Sequence, residues 1–382
     1  MSNTLNKKIQ VSLLLIATMG VMSGITVVSS LPLISQTFGD LPHIEFLSKL
    51  MLTIPSIIIA LFAPIAGIIV DRFGRLRPLY TGIILFILGG SSGFYLDNFY
   101  AILIGRAVLG IAVALLMTSS TALIGDYLDE MARHKFMSIQ GMAVALGGIV
   151  FITSGGLLAQ LHWSYPFAIY ILPLFFLPLL LTSLYEPEKH KHVESDIEIE
   201  SRLWPVYFTA FFAMVLFYML PTQLPYLIIE TLHGKPSTIG LVIATAMLFN
   251  ALTSRQYAKL KARFSYVHIY IITFIFFGIG LFIISQAHSI AQLFYSTAFI
   301  GIGFGLILVN TNSWFLSKVP AHKRGKASGV LASSFFLGQF SSPLLLQPVV
   351  HLYGIQKLFL IVSGIALMVA LILFLKGRIS KI

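Results

Sequence analysis

Polar residues come in short clusters along this chain. Between them lie apolar runs of about 20 residues, each long enough to cross the ~30 Å hydrocarbon core of a bilayer. Twelve runs can be drawn, at 9–33, 46–70, 77–96, 99–123, 136–160, 165–185, 204–228, 237–256, 267–287, 291–316, 327–349 and 355–375. The pattern predicts an all-α membrane protein. The first run follows Lys7 and Lys8, as in a secretory leader, but it continues to about Leu33 without a small-residue cleavage site. It reads as a retained span. Hydrophobic residues make up 57% of the 382 and charged residues 10%, too little polar surface to cover a soluble core of this size.

Charge then fixes sidedness. The net charge is +11, which by itself invites a nucleic-acid partner. With the N-terminus in the cytoplasm, Arg106 falls inside a span and Lys49, Lys235 and Lys357 at outer ends. The other 21 of the 25 Lys and Arg residues fall at cytoplasmic ends or loops. That is the positive-inside bias of an inner-membrane protein with both termini cytoplasmic. Basicity is a topology signal, helped by anionic lipid, and no nucleic-acid partner is implied. Cysteine is absent, which excludes disulfides, a thiol nucleophile and a Cys-based metal site.

The one long polar stretch is "EPEKHKHVESDIEIESR", Glu186 to Arg202, with six of the fourteen acids. It reads as a solvated tether and divides the chain into bundles 1–185 and 204–382 with a linker at 186–203. His190 and His192 lie two apart there, but nothing completes a metal-ligand set. The halves echo one another. "APIAGIIVDRFGR" (Ala63 to Arg75) aligns with "ALTSRQYAKLKAR" (Ala251 to Arg263) at an offset of 188, and "RHKFMS" (Arg133 to Ser138) with "KRGKAS" (Lys323 to Ser328) at 190. A duplicated six-helix unit is the signature of a transporter whose site lies between its repeats.

These residues resemble the major facilitator superfamily. "GIIVDRFGRLRPL" matches the family's loop between spans two and three through Gly67, Asp71, Arg72, Gly74 and Arg75. "RAVLG", Arg106 to Gly110, matches the span-four R-x-x-x-G pattern. "GGLLAQLHWSYPF" and "VPAHKRGKASG" look like the passages from span five into six and into span eleven. The resemblance covers essentially the whole chain. It implies twelve transmembrane helices in two pseudo-symmetric six-helix bundles, near the drug and metabolite exporters. Two departures stand out. In span five, "GGIVFITSGG" keeps Gly147, Gly155 and Gly156 but has Phe151 and Ile152 where the antiporters carry Gly-Pro. In the second half, Lys259 and Ala262 replace the loop motif's Asp and Gly.

The loop motif has a physical reading. Asp71 ends span two, where the helix dipole disfavours a carboxylate. Arg75 lies four residues on, the N-terminus of span eleven near Gly325 offers free N–H groups, and Asp126 at the end of span four can share Arg75. The resemblance implies that Asp71, Arg75 and Asp126 form a latch between the halves, each contact being worth about 1–2 kcal/mol. Gly67 and Gly74 would allow a close helix approach and a tight loop. The alternative is that these charges only mark an inner loop.

The membrane interior holds no acid. Asp40, Glu45, Asp97 and Glu230 fall at outer ends, Asp71, Asp126, Asp129 and Glu130 at inner ends, and the rest in the linker. His162, His233, His288 and His351 fall near outer ends and His268 near the inner one. Arg106 is the one strongly charged group well inside a span, at about 2.5–3.5 kcal/mol on insertion scales unless compensated. It either bonds a neighbouring helix or takes part in substrate binding or coupling. Either way the cavity favours neutral or anionic amphiphiles over cations. Tyr218, Gln223, Asn250, Asn310, Asn312 and Gln339 are further polar candidates for the cavity wall. "LVNTNSW" puts Asn310 and Asn312 about 200° apart, so only one of them should face the cavity. "PTQLP", Pro221 to Pro225, should interrupt span seven near its outer end.

The expectation is a secondary active transporter, a functional monomer with no cofactor and no metal. It moves a small amphiphilic solute by alternating access, with proton-driven efflux leading. Uptake or facilitated transport of an organic anion or siderophore is the first rival, and a non-transporting membrane sensor the second. No nucleophile–base pair, metal set or phosphate loop supports an enzyme.

Overall fold

The computed structural model describes residues 6–187, 203–319 and 324–379. Among them every regular element is helical, and the chain divides into two compact units, Met1–Ser195 and Asp196–Ile382. The linker from 188 to 202, with His190 and His192, lies outside the described residues.

The first unit contains α1 (Lys7–Ile25), a 3-10 turn (Val28–Ser30), α2 (Leu31–Thr37), α3 (Ile44–Phe73) and α4 (Leu76–Gly90). It continues through α5 (Ser92–Tyr95), α6 (Phe99–Tyr127), α7 (Glu130–Leu161), a 3-10 turn (Tyr165–Ile171) and α8 (Pro173–Ser183). The second contains α9 (Trp204–Tyr226), a π-turn (Leu227–Thr231), α10 (Pro236–Lys261), α11 (Tyr266–Ser285), α12 (Ile290–Lys318), α13 (Arg324–Tyr353) and α14 (Ile355–Ile379). Among the described residues eleven helical stretches are long and apolar enough to cross a membrane. The span expected at 77–96 is the shorter α4, which turns at Ser91 into the single-turn α5.

The polar clusters between spans act as caps. Asn98 and Asp129 accept backbone N–H bonds from Ala101 and Ala132 at the starts of α6 and α7, at 3.1 and 2.9 Å. Ser265 and the Ser289–Gln292 capping box do the same for α11 and α12. Span seven departs from expectation. Helix α9 runs unbroken through Pro221 and Pro225, and the irregularity comes after them, as the π-turn. Each proline removes one helical N–H, yet its backbone angle still fits the helix.

Close helix contacts repeat between the units. A Cβ on Gly110 of α6 would meet the Pro55 carbonyl oxygen of α3 at 2.8 Å, and one on Gly301 of α12 would meet Ala246 O of α10 at 2.3 Å. Gly89 of α4 likewise abuts Gly105 O of α6, and Gly280 of α11 abuts Ser296 O of α12. Both pairs of contacts repeat at an offset of 191 residues on each side, so the duplication read from loop motifs is also built into the packing. The two non-glycine residues with positive φ among those described, His43 (58°) and His233 (49°), follow the same repeat at 190.

Gly155 of α7 shows what the surviving span-five glycines do. A Cβ there would lie 2.1 Å from the carbonyl oxygen of Thr26, where span one breaks between α1 and α2. Gly67 has no neighbour within 4 Å of an added Cβ among the described residues, so the close approach expected there is not found. Gly155→Ala should therefore cost about 1–3 kcal/mol of stability, whereas Gly141→Ala, in the same helix with nothing within 4 Å, should be neutral or slightly stabilising. Thermal unfolding of the two purified variants checks the difference.

Candidate functional site

The loop after α3 is built around one glycine. Gly74 sits at φ 87°, a conformation open to glycine, and it turns the chain so that α4 starts at Leu76. This helix has no Ser, Thr, Asp or Asn at its N-cap, which is Arg75. Its acceptor comes instead from 110 residues away. Glu186 Oε1 accepts from Arg75 N at 2.6 Å and Oε2 from Leu76 N at 2.9 Å. A Cβ on Gly74 would lie 2.6 Å from that same Oε1. Glu186 is therefore part of the first unit and not the start of a loose tether. The cue in the sequence was a helix start lacking a cap of its own, with a carboxylate just after span six.

Arg75 is the hub of the charged cluster. Its Nε donates to Asp126 Oδ2 at 2.9 Å, and Nη1 lies 4.0 Å from Asp71 Oδ1. The Arg75 side chain is buried and Asp71 is 65% exposed, so the Asp126 arm is the stronger of the two. Around it the end of span six is tied down. Tyr127 Oη donates to Tyr185 O and accepts from Tyr185 N, with the two rings stacked at 4.6 Å, and Tyr80 Oη donates to Leu180 O at 3.2 Å. Asp71, Gly74, Arg75 and Asp126 are thus brought together within one unit.

The equivalent corner of the second unit carries no acid. Tyr257 Oη donates to Asn310 Oδ1 and Asn310 Nδ2 donates to Tyr266 O, both at 3.1 Å. Lys261 Nζ stands 4.1 Å over the Tyr266 ring. The degenerate motif copy is held by neutral hydrogen bonds and a cation–π contact.

Arg106 is wholly buried and fully engaged. Nε donates to Met51 O of α3 at 3.1 Å, Nη2 to Ser23 O of α1 at 2.8 Å, and Nη1 to Tyr170 Oη at 3.0 Å. Tyr170 in turn donates toward the Met22 and Ser23 carbonyls at 3.2 and 3.1 Å. One guanidinium therefore joins spans one, two, four and six. The acceptors are neutral, and no carboxylate among the described residues lies within salt-bridge distance. At the repeat position, 191 residues on, stands Thr297, whose hydroxyl bonds its own helix at Leu293 O.

The remaining candidates scatter. Asn310 is buried in the Tyr257–Tyr266 network, while Asn312 is exposed and donates to Leu308 O of its own helix at 2.9 Å. Asn250 Oδ1 accepts from Ser254, and Gln339 Nε2 approaches Met214 Sδ at 3.8 Å. Tyr218 and Gln223 are buried on α9. Among the described residues no group of three or more His, Asp or Glu side chains could hold a metal ion.

The Major Facilitator Superfamily model matches residues 12–204 and 206–381. The chain is 25% identical over 295 residues to the multidrug resistance protein 1 of Bacillus subtilis, covering 74% of this chain and 75% of that one. It is 26% identical over 361 residues to the bacillibactin exporter of the same organism, covering 84% and 88%. Among solved structures, a D-xylose-proton symporter superposes with a TM-score of 0.77 at 17% identity, over 96% of each chain. A bacterial homolog of the human lysosomal transporter Spinster superposes equally well, over 99% and 98%.

Three substitutions test the cluster and the buried arginine. Arg106→Lys keeps the charge but not the fork that reaches three acceptors, so it should lower stability by about 1–3 kcal/mol in thermal unfolding. Glu186→Ala should lower it by about 0.5–2 kcal/mol, as the loss of a helix cap does. Glu186→Gln, whose one oxygen accepts one of the two N–H bonds, should fall between.

Proposed function

Since the chain belongs to the major facilitator superfamily, we propose that it works as a proton-driven exporter of a small neutral or anionic amphiphile in a bacterial inner membrane. The basic end of each bundle would face the cytoplasm. The observation that carries the reading is the charge of Arg106, balanced by neutral oxygens alone. A fixed positive charge in a low-dielectric bundle, with no carboxylate among the described residues beside it, repels a cation and favours a neutral or negative solute. A relative aligned along 84% of the chain is named an exporter, which supports the direction. In this reading the Arg75 cluster acts as the latch, holding one conformation through Asp126 and Asp71 and releasing it at modest cost. Tyr218, Gln223, Asn250 and Gln339 remain candidates for the cavity wall, and Asn310 serves packing.

Everted membrane vesicles with an acidified interior provide the test. Carboxyfluorescein (anionic) and a neutral naphthylamine dye should accumulate when the gradient is imposed, and ethidium should not. Accumulation of ethidium in preference to both would overturn the substrate class. Uptake by right-side-out vesicles alone would make the chain an importer of organic anions, and binding without flux would make it a sensor.

A further inference from the structure

At the end of the first unit away from the Arg75 cluster, a groove of about 380 Å³ runs between α2 and the end of α7. Small-molecule sites span about 300–1,000 Å³. Leu33 and Gln36 belong to one wall, and Gln160, Leu161, His162 and Trp163 to the other. The polar part of this lining is a set of open donors. The side-chain amides of Gln36 and Gln160 and the indole N–H of Trp163 have no hydrogen bond among the described residues. His162 Nδ1 accepts from Ser164 N at 3.3 Å and lies 2.8 Å from Ser164 Oγ. A backbone N–H only donates, so the neutral ring carries its proton on Nε2, which has no partner among the described residues. Packing holds both rings. Trp163 meets Phe38 and Phe167 edge-on at 5.5 and 6.2 Å, and His162 lies against Tyr165 at 5.3 Å.

The groove sits where a bilayer changes from hydrocarbon to headgroup. Leu161 ends both α7 and an apolar span and is 73% exposed. Tyr95, Tyr100 and Tyr165 are exposed at the same end, the placing of an interfacial aromatic belt. Charge narrows the ligand further. The loops at this end, 38–43, 91–98 and 162–164, contain Asp40 and Asp97 but no Lys or Arg. Asp40 lies two residues past Phe38. Asp97 lies two residues before Phe99, whose ring also meets Phe38 at 5.5 Å. Neither aspartate has an ion pair or side-chain hydrogen bond among the described residues. An anionic headgroup meets acids here with no loop cation to balance them. A zwitterionic one brings phosphate oxygens to the open donors and an ammonium to the aspartates.

We propose that this groove binds the headgroup of a zwitterionic aminophospholipid, its phosphodiester held by Gln36, Gln160, His162 and Trp163 and its amine turned toward Asp40 and Asp97. Leu33 and Leu161 meet the first carbons of its chains. The lipid ties α2 to the end of α7, beyond the contact of Gly155 with Thr26 O. The leaflet rests on the orientation proposed above, in which it is the outer one. The binding itself does not depend on that orientation.

Trp163, one of three tryptophans, reports on the site. In a Trp204→Phe, Trp314→Phe background, the purified full chain in detergent is titrated with dioctanoyl phosphatidylethanolamine. Its fluorescence should change saturably, at an affinity at least about tenfold above that for dioctanoyl phosphatidylglycerol. Gln36→Leu with Gln160→Leu, both at exposed positions, should leave the lipid-free unfolding temperature unchanged. Binding should weaken about tenfold or more, as the loss of hydrogen bonds to a charged acceptor does. Asp40→Asn with Asp97→Asn should remove most of the preference for the amine headgroup. Equal affinity for the two lipids in the parent, or undiminished binding in the glutamine variant, overturns the proposal. Glycerophosphoethanolamine, which has no chains, should bind far more weakly. Binding as tight as the lipid's would make this a site for a soluble phosphodiester, and displacement of the lipid by carboxyfluorescein would make it part of the solute path; either result overturns the proposal. The titration requires no flux, so a failure of dye transport sinks the exporter reading and leaves this result standing.

Discussion

Hydrocarbon gives a buried polar group no partner, so whatever polar chemistry a span carries must be completed inside its own bundle. Arg106 meets that constraint by reaching two carbonyls and a tyrosine hydroxyl on three other spans. The arrangement cross-links the first unit and leaves a positive charge that no carboxylate among the described residues pairs. Packing therefore comes from one side chain, and in the proposed function selectivity comes from it too. The second unit places Thr297 at the same repeat position, so a buried charge at this point of the repeat belongs to the first half.

The same asymmetry runs through the loops. In the first unit a left-handed glycine, a buried arginine, two aspartates and a distant glutamate hold the turn between α3 and α4. In the second, tyrosines and one asparagine hold the corresponding corner. Charge-assisted bonds to a half-exposed cluster respond to hydration and to salt, whereas a buried amide network does not. Among the described residues the ion pairs lie in the first half, where Arg106 also lies.

Much of this was written in the sequence, and the reasons for what was missed are physical. Helical spans are legible because about 20 apolar residues in a row have few other structures open to them. The break between α4 and α5 was not, since Gly89, Gly90 and Ser91 are as compatible with a continuing helix as with a turn. The meeting of Asp71, Arg75 and Asp126 was implied by the family resemblance, which the fixed spacing of the loop motif carried. Glu186 was hidden because its partners are backbone N–H groups, which leave no complementary residue to notice. Asn310 looked like a cavity residue because an amide in a span must find a polar environment, and the sequence does not say whether that environment is a cavity or two tyrosines. Lys49 read as an ordinary end-of-span lysine, and it is fully buried in the structure.

The central claim is that an uncompensated buried positive charge sets the solute class. It is tested most directly by binding to the purified protein of two amphiphiles identical except for a carboxylate or a quaternary ammonium headgroup, read as the shift in unfolding temperature. The carboxylate should raise the transition with the logarithm of its concentration above its Kd, and the ammonium should leave it unchanged. Stabilisation by the ammonium alone would contradict the account.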